Sequence, residues 1–191
     1  MLKNSCRVQC DDVGGLVMNN PANLPVNPIK NSQLYSYAIV DCAQLEDDFY
    51  AIFIQQYAQY ATNTTQSTQI ESLFKGTLDE PSAKAGPVLI KLDITQDSPL
   101  RQKLLRLEQQ SPAVLWLWTK LDFYHLAERT LKPLLYGQLE DQSEVLIRYY
   151  DPRCTENLCK LFKEDPTTAK LINQISAWAY QEDGEYRYLI T

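Results

Sequence analysis

The chain has 191 residues, 45% of them hydrophobic and 10% aromatic, enough for one packed core and too many for a disordered protein. A formal net charge of −6 at pH 7 excludes a general nucleic-acid binder, which needs a basic surface, and leaves basic protein partners open. Five cysteines, an odd number in a chain of this size, predict reduced thiols; no secretory leader in residues 1–20 and no apolar run of about 18 residues is visible, so a cytoplasmic protein without a membrane span is expected.

Residues 1–33 combine Gly14-Gly15, Pro21, Pro25 and Pro28 with several asparagines, and read as a loosely ordered arm with one short strand near Leu16-Val17-Met18. The compact domain is expected over 34–191. It opens with YSYAIVD, a buried strand from Tyr35 to Asp41. A helix over 46–61 follows, with Phe49, Ile52, Phe53, Tyr57 and Tyr60 as its apolar stripe and acids in its first turn. After a polar loop over 63–67 comes the short apolar segment IESLFKGTL, ending in a glycine turn.

Gly86-Pro87 introduces a second strand, Val88 to Leu92. Ser98-Pro99 opens a helix running to about Gln110, with Leu100, Leu104 and Leu107 on one face. Val114 to Trp118 is apolar throughout and predicts an interior strand, and Asp122 caps a helix that Pro133 stops. Two strands, 134–139 and 144–150, are predicted to form a hairpin turning at 140–143. The second of them, ending in Leu146-Ile147-Arg148-Tyr149-Tyr150, runs into Asp151-Pro152, a helix cap followed by the residue type best tolerated at a first helical position. That helix extends to about Lys163, a shorter one covers 168–175, and two strands, 177–180 and 186–190, turn at Glu182-Asp183-Gly184-Glu185. Strands alternating with helices predict a single-domain α/β sandwich, a mixed β-sheet flanked by helices with a short C-terminal β-hairpin.

Signatures of catalysis are missing. The one histidine, His125, falls mid-helix and reads as a surface or packing residue. No G-x-S-x-G elbow, Walker loop or G-x-G-x-x-G fingerprint occurs, which weighs against a nucleotide site. Cys6/Cys10 and Cys154/Cys159 match no zinc-knuckle spacing, so no metal and no cofactor is expected. Asp41 and Asp151 each end a predicted strand at the sheet edge where α/β proteins place functional groups. With Arg148 and Arg153 they form either an ion-pair lock or a polar pocket, and the two readings are compatible. Trp116 and Trp118 project to one face of their strand; burial under a helix is the expected role, and exposure would make Trp118 an anchor for a protein partner.

The order of YAIVDCA, LFKGTL, GPVLIKL, a tryptophan-bearing strand, VLIRYYDPR and SAWAYQEDGEYRYL resembles the domain of unknown function 4123 family. The resemblance covers about 35–189, with a family core of about 35–163 and a short C-terminal extension, 164–191. Asp41, Leu73, Phe74, Gly76, Gly86, Pro87, Arg148, Asp151, Pro152 and Arg153 match the family's pattern. The resemblance implies a non-enzymatic adaptor or chaperone of a bacterial type VI secretion system. Such a protein binds a toxic effector in the cytoplasm and helps load it onto the VgrG spike protein. Many relatives extend further beyond the Asp-Pro-Arg segment, so partner contacts made there are not implied for this chain. The alternative is a small α/β enzyme or anionic-ligand-binding domain using Asp41, Arg148, Asp151 and Arg153.

Overall fold

A computed structural model describes residues 25–29, 33–45, 50, 69–92 and 99–190. The expected strand at 16–18, Cys6 and Cys10, the loop at 63–67 and the helix at 46–61, apart from Tyr50, lie outside the described residues.

The fold is an α/β sandwich built on a six-stranded sheet of order β2-β3-β1-β4-β7-β8. Its strands are β1 (Tyr35–Asp41), β2 (Ile70–Ser72), β3 (Pro87–Leu92), β4 (Val114–Thr119), β7 (Ile175–Glu182) and β8 (Glu185–Ile190). A separate ribbon pairs β5 (Tyr136–Gln138) with β6 (Glu144–Leu146). Every pairing is antiparallel, so within the sheet the mixture suggested by the βα alternation resolves into antiparallel neighbours. The expected C-terminal hairpin is β7–β8. Its turn residues Asp183 and Gly184 have φ of 52° and 81°, the two positive values that a tight turn matched to strand twist requires.

β1 and β4 lie side by side at the centre, and their alternation divides the core in two. Tyr37, Ile39, Leu115 and Leu117 face one layer, while Ala38, Val40, Val114, Trp116 and Trp118 face the other. The second face is covered by α1 (Pro99–Gln110), whose Leu100, Leu104 and Leu107 recur at helical spacing. On the first face lie α2 (Pro152–Glu164), α3 (Pro166–Ile172) and a wide-wound turn. They contribute Cys159 and Phe162, Ile172, and Leu126 with Leu131, respectively. Each such side chain removed from water stabilises the fold by about 1.5–3 kcal/mol.

Two local expectations are corrected. The helix after Asp122 is π-wound over His125–Leu131, with the Lys132 amide donating to the Ala127 carbonyl. Pro133 does not end the helical path; it sits at the start of a 3-10 turn, Lys132–Leu135, where its fixed φ fits and its missing amide hydrogen matters least. The segment at 144–150 is not a strand running into α2, nor is it part of the main sheet. β6 stops at Leu146, and a turn closed by the Asp151 amide on the Arg148 carbonyl (3.1 Å) follows. The turn lets both Tyr149 and Tyr150 enter the core, which a strand with alternating faces would forbid.

Candidate functional site

Four of the expected site residues meet at one end of the sheet. Asp41 is the last residue of β1; it is paired with Pro87 at the start of β3, and its amide donates to the Ala113 carbonyl at 2.8 Å. Its carboxylate accepts from the Ala43 amide (3.2 Å), capping the 3-10 turn Cys42–Gln44, and from Arg148 Nη2 (2.6 Å). Asp151 caps α2 through the Arg153 amide (3.0 Å) and receives a two-pronged contact from the same residue's Nε (2.9 Å) and Nη2 (2.7 Å). Arg148 Nη2 also lies 3.9 Å from Asp151, joining the two pairs. The carboxylates are the buried members, with Asp41 0% and Asp151 5% exposed at the side chain; Arg148 and Arg153 are 40% and 57% exposed.

The turn at 148–151 is what brings Arg148 across to a residue 107 positions earlier in the chain. Its guanidinium also lies 5.9 Å from the Tyr150 ring centroid. Burial acts against the charge on Arg148, yet its hydrogen bond to Asp41 and the neighbouring negative charges, Asp41 first and Asp151 among them, together outweigh it, and the group stays more firmly protonated than usual. Burial likewise opposes ionisation of Asp151, and the side-chain and backbone hydrogen bonds of Arg153 overcome it, holding the carboxyl below its ordinary range. Cys42, next to Asp41, is driven the other way: burial first and the Asp41 charge second push its thiol up to about 12, so it stays protonated at neutral pH.

Aromatic packing supports the charges. The Phe74 ring meets Tyr150 edge-on at 6.5 Å, and Gly86 lies flat against it, since a Cβ there would fall 2.3 Å from Phe74 Cδ2. Gly76 has φ of 73°, a backbone conformation suited to glycine. Leu73, Phe74, Gly86 and Pro87 therefore belong to the same corner as Asp41, Arg148 and Asp151.

Trp118 is not part of that corner. It lies at the opposite end of β4, paired with Ser36 and Ala177, 1% exposed within the face that α1 covers and 6.3 Å from the Tyr188 ring. Its indole nitrogen has no hydrogen-bond partner among the described residues. His125 is exposed and bonds Asp122 through Nδ1 at 2.7 Å. No group of three His, Cys, Asp or Glu residues able to hold a metal occurs among the described residues.

Two residues of interest escaped the sequence reading. Gln44 sits between the arginines; facing two guanidinium donors, its amide presents oxygen to Arg148 Nη2 (3.0 Å) and Arg153 Nη2 (2.9 Å). The signal was available, for Asp41-x-x-Gln44 has the spacing of a helix-start capping pair. The other is Glu108, which continues the buried stripe of α1 one turn after Leu104. It is 7% exposed, accepts from Trp116 Nε1 at 2.7 Å and bonds the Tyr186 hydroxyl through its other oxygen. Burial lifts its pKa to about 7 against the opposing pull of the Tyr186 and Trp116 hydrogen bonds.

A family model described as "Domain of unknown function (DUF4123)" matches residues 36–169. The chain belongs to the DUF4123 family. Curated proteins and solved structures yield no match to it. The DUF4123 match spans the strand that ends in Asp41, the loop carrying Phe74 and Gly86, and the Arg148–Arg153 segment, so it contains the whole corner. No helix among the described residues is long and apolar enough to cross a membrane.

Proposed function

We propose that this DUF4123 chain is a cytoplasmic adaptor of a bacterial type VI secretion system, holding a toxic effector and helping load it onto the VgrG spike, and catalysing no reaction. The observation that carries the reading is the way the family landmarks assemble. Residues spread from Asp41 to Arg153 converge on one corner where each carboxylate is matched to a guanidinium and each ring to a ring. Such mutual pairing supports a scaffold that presents surface to a protein partner. The corner's thiol, Cys42, is held protonated, and its arginines are fixed by aspartates that a reaction would have to displace. Material for an interface is available in the exposed apolar side chains Leu78, Tyr124, Leu139 and Leu161.

The test is co-expression of the full chain with the effector and the spike protein encoded beside it, followed by affinity capture and size-exclusion chromatography. A stable complex with the effector, the spike or both is expected. Absence of a complex with either would sink the proposal.

A further inference from the structure

The two edges of the main sheet differ. β2, at one edge, is 3 residues long, whereas β8, at the other, runs for 6 residues and pairs with β7 alone among the described residues. Natural edge strands are kept from pairing further by shortness, lysine, proline or a bulge. β8 has none of these: its register with β7 is unbroken and its sequence is EYRYLI. Its one cation, Arg187, turns back to Glu182 at 2.9 Å.

The hairpin geometry decides which backbone groups face outward. A two-residue turn closes on a pair that exchanges both hydrogen bonds, here Glu182 with Glu185, and such pairs recur at every second residue. Glu185, Arg187 and Leu189 therefore direct their amides and carbonyls to β7, while those of Tyr186, Tyr188 and Ile190 point away from the sheet. The side chains of these three residues share the face that α1 covers. Tyr186 reaches Glu108, and Tyr188 (36% exposed) and Ile190 (47% exposed) leave apolar surface beside the open edge. Val26 donates its amide to the Tyr188 hydroxyl at 3.3 Å, a contact with the side-chain tip and not with the strand's backbone. At the turn end, Asp183 and Glu185 are exposed and have no ion pair among the described residues.

An open strand edge selects its own occupant, because a row of amides and carbonyls at strand spacing is satisfied by another extended backbone. The side chains narrow the choice. Apolar residues at every second position cover Tyr188 and Ile190, and a cation at one end meets the Asp183 and Glu185 carboxylates. A second copy of β8 fits less well. Antiparallel pairing of two copies about Arg187 sets that cation against itself, pairing about Tyr188 sets it against Leu189, and neither places a cation opposite Glu185. We propose that the outer edge of β8 is a docking site for an extended segment of a partner protein, apolar at every second residue and carrying a lysine or arginine beside the β7–β8 turn. The segment adds to the sheet as a further strand, held by the backbone of Tyr186, Tyr188 and Ile190. The proposal rests on the adaptor reading for the source of the segment, and deepens it by naming how the segment is held.

The edge is tested by titrating the full chain with the end-capped peptide Lys-Val-Thr-Val-Thr-Val-Thr, with Lys-Val-Thr-Pro-Thr-Val-Thr as a control unable to pair. Binding is read by calorimetry and by amide hydrogen exchange. The first peptide is expected to bind and to slow exchange at Tyr186, Tyr188 and Ile190, and the proline peptide to do neither. Tyr188→Pro removes one outward N–H, leaves the bonds to β7 in place, and weakens the peptide by about tenfold or more. Should Tyr188→Pro fail to fold, Ile190→Pro, at the strand end, is expected to weaken the peptide in its place. A wild type that ignores the first peptide, or a folded Tyr188→Pro that binds it normally, overturns the proposal. Equal binding of a peptide with glutamate in place of lysine overturns the assigned cation. Slow exchange at the three amides before peptide is added would show an edge already closed, by a second copy if sedimentation equilibrium gives a dimer and by the same chain if it gives a monomer. Either result overturns the assignment to a partner. The titration needs neither effector nor spike, so it reads the edge even if the adaptor reading fails. An effector or spike complex indifferent to Tyr188→Pro would preserve the adaptor reading and remove the edge from it.

Discussion

The corner around Asp41 and the contact around Glu108 are both buried carboxyl sites, and they solve the same problem in opposite ways. In the corner each carboxylate meets a guanidinium, and the Asp151 carboxyl is held below its ordinary range in spite of burial. Glu108 meets only neutral donors, the indole of Trp116 and the hydroxyl of Tyr186, and burial raises its pKa to about 7. At Glu108 two hydrogen bonds from neutral donors do not offset burial, whereas at Asp151 the hydrogen bonds and the charge of Arg153 together do.

That contrast can be broken most severely by Arg148→Ala. It leaves Asp41, fully buried, without its cation, and a loss of about 3–5 kcal/mol is expected in urea denaturation. Combining it with Asp41→Asn is expected to recover a good part of the loss, because the asparagine still caps the turn and carries no charge. Equal loss in the single and double variants would show that packing, not charge pairing, sets the stability of the corner.

The Glu108 site sharpens the comparison through pH. A carboxyl whose folded pKa is raised contributes stability that is fully present below its unfolded value and disappears as pH rises through the folded one. Between the ordinary 4.5 and about 7 this is worth on the order of 3 kcal/mol, so Glu108→Gln is expected to be more stable than wild type at pH 8 and to flatten the slope above pH 5. Asp151 has the opposite sign: its lowered pKa contributes stability present above the unfolded value and lost as pH falls through the folded one. Thermal melts of wild type and Glu108→Gln from pH 3 to 9 would separate the two. An unchanged slope above pH 5 in Glu108→Gln would mean that Glu108 is charged in the folded chain at neutral pH.

The smallest effect is expected for Arg153→Ala. Its guanidinium is 57% exposed, its pairing is screened by water, and its carboxylate is one that Arg148 also approaches, so the same denaturation assay should show a loss well below that of Arg148→Ala. A loss as large as that of Arg148→Ala would mean that the two ion pairs act as one unit.

Much of the fold was legible because periodicity reports burial directly. The strands at 35–41, 87–92 and 114–119 and the helices at 99–110 and 152–164 follow from short, nearly continuous apolar runs, the three-four leucine spacing and the Asp-Pro start of α2. The pairing of Asp41 with Arg148 was legible only as one of several options, since nothing local says which strand end meets which. The stretch 146–150 misled because its alternation is that of a strand, whereas two consecutive tyrosines are both wanted in the core and the backbone turns to bury them. Gln44 and Glu108 were missed for a related reason. Each is an ordinary polar residue at a regular position, and its importance comes from groups brought to it from elsewhere in the chain.

By itself, the amino-acid sequence determined where most of the strands and helices lie, which residues are apolar enough to face the core, and which landmarks carry family membership. These depend on neighbours a few residues apart, and hydrophobic spacing records them. The tertiary structure alone decided that the antiparallel sheet brings the ends of β1 and β3 together with the turn before α2, so that Asp41 receives Arg148 and Gln44 lies between two arginines. It also decided that Glu108 lies under Tyr186 rather than in water. The physical reason is that the state of a charge depends on the burial and the partners that long-range packing imposes, and local sequence carries no record of either.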